Sequence, residues 1–163
     1  MNRVGIDPGT TGALALIGPA GELLDVRDMP VVSIRINGST RDRVDAASVA
    51  ELLREWAPGE AVIEAVNPRK GDTPLTAGEL CRASGTVEGV VAALGIAVSF
   101  VQPMAWRKAA GVRLPTGSTY KERKESSRQR ALQVWPASAA FFKFKKNADR
   151  AEASLIARHG RPS

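Results

Sequence analysis

Cysteine and histidine are nearly absent from this chain of 163 residues: Cys81 and His159 are the only ones. A lone cysteine excludes an internal disulfide and a multi-cysteine zinc site, and it suits a reducing compartment. A lone histidine removes serine–histidine hydrolysis and histidine-rich metal sites from consideration. No apolar run approaches the roughly 20 residues that span a bilayer, and residues 1–7 lack a signal-peptide layout. The expectation is a cytoplasmic protein with no membrane partner. With thiol and imidazole chemistry removed, catalysis is left to carboxylates.

What is present describes an ordinary globular chain. Hydrophobic residues make up 44%, which excludes wholesale disorder. The length predicts a single domain over 1–163 and is too short for two. The net charge of +6 is uneven. Residues 1–100 carry 9 basic and 13 acidic side chains, whereas residues 101–163 carry 14 basic and 4 acidic. A basic half points to a polyanionic partner, most often nucleic acid, although a solvated basic face is the plainer alternative.

Strands are predicted at 4–7, 13–17 and 23–29, with 31–36 either continuing the third or pairing back on it. Asn37-Gly38 is a turn signal. Asp45 is placed to cap a helix in which Val49, Leu52, Leu53 and Trp56 share one face. A strand at 61–66 follows, then a polar loop at 67–74, a helix at 75–94, a strand at 96–101, and a short helix at 103–110. The loop at 111–119, a basic helix at 121–134 and a last helix at 148–158 complete the chain. A meander followed by strand–helix crossovers implies an α/β fold with a mixed sheet and helices on both faces.

Four acids stand out. Asp7 ends an apolar strand before the turn Pro8-Gly9-Thr10-Thr11-Gly12, and Glu64 sits inside a second apolar strand. Asp149 and Glu152 are three apart on the last helix, among alanines, and so share a face. Carboxylates in apolar settings are costly unless paired or bound to metal. Four brought together repel one another, and divalent cations relieve that repulsion. Two such ions about 4 Å apart can hold the attacking and leaving oxygens of a phosphodiester. Simpler roles exist for each acid alone: Asp7 capping its turn, Glu64 pairing with an arginine, and Asp149 and Glu152 as helix-start residues.

At Val4-Gly5-Ile6-Asp7-Pro8-Gly9-Thr10-Thr11-Gly12, Val62-Ile63-Glu64 and Asp149-Arg150-Ala151-Glu152-Ala153, the chain resembles the RuvC family of Holliday-junction resolvases. The resemblance is to the bacterial and bacteriophage branch of that family, within the ribonuclease H-like superfamily. It runs from residue 3 to residue 158. It implies a ribonuclease H-like mixed five-stranded sheet flanked by helices on both faces. It also implies a homodimer acting on four-way branched DNA in a bacterial or phage-infected cell.

The implied activity is a structure-selective endodeoxyribonuclease, a crossover junction resolvase. It would use two Mg²⁺ or Mn²⁺ ions per site and leave 5′-phosphate and 3′-hydroxyl ends. Asp7, Glu64, Asp149 and Glu152 become the metal ligands. Lys124, ahead of Lys121, takes the place of a lysine near the scissile phosphate. The helix at 75–94, with Gly85 and Gly89, matches the dimer helix.

Two departures stand out. The fourth acid is Glu152 where the family usually has Asp, which places the second metal differently or holds it more weakly. The loop after Glu64 has no aromatic to stack on a base; Asn67, Arg69 and Lys70 stand there, and Arg69 can stack through its guanidinium. Arg123 and Arg128 join Lys121 on the basic helix as expected DNA contacts, since phosphate contacts position a protein on its substrate. The alternatives are a nuclease for structured RNA and a non-cleaving junction binder. The phenylalanines of Phe141-Phe142-Lys143-Phe144-Lys145-Lys146 are expected to anchor their loop, although aromatics interleaved with lysines can stack bases. Trp106, Trp135 and Cys81 are expected in the core, and His159 at an exposed helix end.

Overall fold

A computed structural model describes residues 1–68 and 71–160. Five strands form the central sheet in the order β3-β2-β1-β6-β7: β1 Arg3–Asp7, β2 Ala13–Ile17, β3 Leu23–Asp28, β6 Glu60–Glu64 and β7 Ala97–Val101. β1, β2 and β3 pair antiparallel, whereas β1, β6 and β7 run parallel. The expected mixed sheet is therefore present.

Alternation along the strands distributes the core. Val4 and Ile6 of β1, with Ala61 and Ile63 of β6, pack towards α1 (Ala46–Trp56) and α2 (Pro74–Ala93). Val62 packs on the other face, towards α3 (Pro103–Ala110), α4 (Tyr120–Val134) and α5 (Ala148–His159). Asp7 and Glu64 have the same parity as Gly5 and Val62. They therefore project on the α5 side, at the carboxyl ends of two neighbouring parallel strands.

Local chemistry places the helices. Asp45 caps α1, accepting from the backbone N–H groups of Ala47 and Ser48. Thr119 and Glu122 close a capping box on α4. α5 lies directly on β1, because a Cβ at Gly5 would stand 2.2 Å from Ala157 N and 2.3 Å from Ala153 O. A bidentate pair from Arg150 to Asp28, both contacts 2.6 Å, fastens the first turn of α5 to the end of β3.

One element was not expected. Residues 31–36 neither continue β3 nor pair back on it. β4 (Val31–Ile36) pairs with β5 (Ser39–Val44) in a separate two-stranded sheet. Pro30, which has no N–H to donate, separates β4 from β3. Asn37 (φ 48°) and Gly38 (φ 78°) supply the paired positive φ angles of a tight hairpin turn. β5 reads Ser-Thr-Arg-Asp-Arg-Val, which has no apolar alternation to betray it. Arg41 and Arg43 of β5 pair with Glu79 and so tie the hairpin to α2.

Candidate metal-dependent active site

Asp7, Asp149 and Glu152 each bring one carboxylate oxygen to within 4.8 Å of the others. β1 supplies the first acid and the N-terminal turns of α5 the other two. Tight closure of the turn after β1 holds Asp7 in place. Gly12 N donates to Gly9 O, and a Cβ at Gly12 would stand 2.0 Å from the Asp7 carbonyl oxygen. Glu64 lines the same cleft, which has a volume of about 360 Å³. Its Oε1 is directed to α3, where it accepts from Trp106 Nε1 at 2.7 Å. The structure thus gathers three of the four expected acids tightly and sets Glu64 on the adjoining wall.

Lys124 stands among them. Its Nζ donates to Asp149 Oδ1 at 2.7 Å and to Glu152 Oε2, and lies 3.5 Å from Asp7 Oδ2. Burial works against its charge, but Asp7, Glu152 and Asp149 together hold the ammonium well above the ordinary lysine range. Asp7 is pushed up to about 8, first by burial and then by Glu152, Glu64 and Asp149, against the pull of Lys124. Burial also raises Glu64, against the hydrogen bond from Trp106. Hard oxygen donors grouped in an acid-rich cleft fit Mg²⁺ or Mn²⁺.

Three residues around the acids were missed by the sequence reading. Arg107 Nη2 donates to Glu152 Oε1 at 3.0 Å and lies 3.8 Å from Glu64, with its guanidinium 4.5 Å over the Trp106 ring. Ser127 Oγ donates to the same Glu152 oxygen at 3.0 Å. Glu152 is only 2% exposed, so these donors compensate a buried charge. Trp106 is in the core as expected, yet its indole N–H serves the site. Ser127 was within reach of a helical argument, since it is three residues from Lys124 and shares its face. Nothing local marks Arg107.

The expected nucleic-acid contacts fare differently. Lys121 is exposed in the first turn of α4, and Asn67 is exposed after β6, where its Nδ2 donates to Gln102 Oε1 at 2.8 Å. Arg123 is half-buried and donates to Ser118 O. Arg128 is a correction: it is buried, held bidentately by Glu125 and donating to Phe142 O, so its charge serves the fold and does not face a ligand. Arg69 and Lys70 lie outside the described residues. Two placements elsewhere also change. Cys81 is exposed on α2 rather than a core residue, and His159 is half-buried rather than exposed at its helix end. Both depend on which side of the helix is covered, which the residue itself does not encode. Trp135 is in the core.

No protein-family model and no curated protein sequence matches the chain. Among solved structures, the chain is similar to T. thermophilus RuvC in complex with Holliday junction substrate. The TM-score is 0.66 and the identity 21%, over 99% of this chain and 95% of that one. A second Thermus thermophilus RuvC structure is 19% identical, over 98% of this chain and 97% of that one, with a TM-score of 0.47. The first of these likenesses establishes the fold, which is the ribonuclease H-like fold of RuvC. Among the described residues no helix is long and apolar enough to cross a membrane.

Proposed function

We propose that the chain is a metal-dependent endodeoxyribonuclease that resolves four-way DNA junctions by paired hydrolysis, leaving 5′-phosphate and 3′-hydroxyl ends. It would act as one domain in the cytoplasm of a bacterial or phage-infected cell. The observation that carries the reading is the convergence of Asp7, Asp149 and Glu152, with Glu64 beside them, at the carboxyl ends of β1 and β6 in a RuvC fold. These four residues would hold two Mg²⁺ or Mn²⁺ ions, which supply an activated water and neutralise charge on the leaving oxygen when bound. Arg107 and Ser127 keep Glu152 Oε1 engaged, and Lys124 holds Oε2. Trp106 fixes one oxygen of Glu64 in the same way. Lys124 balances the acids and lies within reach of a phosphate bound at them. Lys121, Asn67 and Arg123, with Arg69 and Lys70, would position the backbone.

A four-way junction presents two symmetric strands, so a homodimer completes the reading. The exposed face of α2 supports it. Gly78, Gly85 and Gly89 fall on one side, and a Cβ at any of them would meet nothing within 4 Å. α2 packs against the edge strand β7, where Val98 and Phe100 are 40% and 42% exposed.

The test is incubation with a synthetic four-way junction, a linear duplex and a structured RNA, in Mg²⁺ or in EDTA. Symmetric, metal-dependent nicks in the junction alone are expected. Cleavage of RNA alone would make the protein an RNA-processing nuclease. Junction binding without cleavage, unchanged in Asp7→Asn, would make it a binding protein.

A further inference from the structure

The segment between Phe142 and Asn147 separates residues that the sequence presents as alike. Phe142 is fully buried, while Phe144 is 56% exposed. Lys143, Lys145 and Lys146 around it are exposed as well. The Nζ atoms of Lys143 and Lys146 lie 5.4 and 5.9 Å from the centre of the Phe144 ring. Among the described residues none of these three lysines is in an ion pair, in contrast with Lys124 and Arg128. The ring stands on a fixed backbone: Phe144 N donates to Asn147 Oδ1 at 3.0 Å, Asn147 N donates to Phe144 O at 2.9 Å, and Arg128 anchors the Phe142 carbonyl at 2.9 Å.

Its position matters as much as its exposure. Asp149 is five residues on, so the two Cα atoms are at most about 17 Å apart. After the hydrogen bonds and charge of Arg150, the Lys146 ammonium helps to hold the Asp28 carboxyl below its usual range. Asp28 is in register with Ala13, and Ala13 with Asp7. The segment therefore lies at the end of the sheet that carries the acids. An aromatic ring left in water between ammonium groups, on an ordered support beside a phosphodiester-cutting cluster, matches the chemistry of a nucleobase flanked by phosphates.

We propose that Phe144 is a base-stacking residue: its ring takes the face of an unpaired base near the cleavage point, and Lys143 and Lys146 take the neighbouring phosphates. This rests on the nuclease reading and adds to it the element that grips bases. The test uses the full-length chain in EDTA. The probes are a four-way junction with 2-aminopurine at the crossover, a fork with an unpaired 2-aminopurine strand, and a linear duplex.

Wild type should quench the probe in the branched DNAs. Phe144→Ala should lose the quenching and bind them about ten-fold more weakly, with duplex affinity unchanged, whereas Phe144→Trp should retain both. Replacing Lys143 and Lys146 by Gln should lower the dependence of log affinity on log salt by about 2. Unaltered quenching and affinity in Phe144→Ala overturn the inference, as does an equal loss on duplex or a fall in melting temperature shared with Phe144→Leu. The nuclease reading fails instead on the wild-type protein, if it binds the junction but cuts nothing in Mg²⁺. A wild type that binds neither branched DNA overturns both.

Discussion

Gly5→Ala tests the contact on which the site depends. The new Cβ would stand 2.2, 2.3 and 2.6 Å from Ala157 N, Ala153 O and Ala157 Cα. Unbonded carbons pack at about 3.5–4.0 Å, so α5 must withdraw by roughly 1 Å or β1 must bend. All three obstructing atoms are backbone, and no side-chain rotation relieves them. Overpacking of this kind costs about 1–3 kcal/mol, which in a domain of this size lowers the melting temperature by roughly 2–12 °C. The functional loss should exceed the loss of stability. α5 carries Asp149 and Glu152, while Asp7 and Glu64 stay on the sheet, so the retreat separates the acids. A displacement near 1 Å in such a constellation costs on the order of 10² in rate. Calorimetric melting, Mg²⁺ titration and junction cleavage, measured below the melting transition of the variant, separate the two effects. A Gly5→Ala protein with wild-type melting and wild-type Mg²⁺ affinity would refute the account of α5 as a helix seated on the β1 backbone.

Four further outcomes are expected. Asp7, pushed to about 8, binds a cation only as the carboxylate, so Mg²⁺ uptake should release protons below about pH 8 and tighten as pH rises to that point. Titration calorimetry at about pH 6.5 in two buffers of different ionisation enthalpy should give different heats, and equal heats would contradict the raised value. Lys124→Met removes the ammonium from between three carboxylates, so stability in EDTA should fall by about 3 kcal/mol. Mg²⁺ affinity should rise in the same variant because no bound cation has to yield, while cleavage slows. Ser127→Ala should cost about 1–3 kcal/mol in urea unfolding, since it takes one donor from the buried Glu152. Gly85→Leu should shift the protein to monomer in sedimentation and abolish paired cuts, and Cys81 should then react with thiol reagents at a rate independent of protein concentration.

Local patterning, read with the caps and the glycine and proline breakers, located the five sheet strands and the helices, because burial on one or both faces leaves a mark that neighbouring residues record. It was blind to β5, whose exposed, charged strand has no such repeat and is held by its pairing with β4. The four acids were legible for a related reason: a carboxylate among alanines and valines is conspicuous wherever it is placed. Their surroundings were not. Trp106 meets Glu64 across 42 positions and Arg107 meets Glu152 across 45, while Lys124, 117 positions from Asp7, was named only through the family resemblance. Contacts of that span leave no local spacing to read. Arg128 and Lys121 lie on the same basic helix, and only packing decides that one is buried against Glu125 while the other is exposed. Phe142 and Phe144 divide in the same way. Each acid is costly where it stands, so the residues that had to be gathered are readable from the order of amino acids alone. The tertiary structure decided which partners meet them and which charges and rings remain exposed, because burial is a property of the assembled layers and not of the residue.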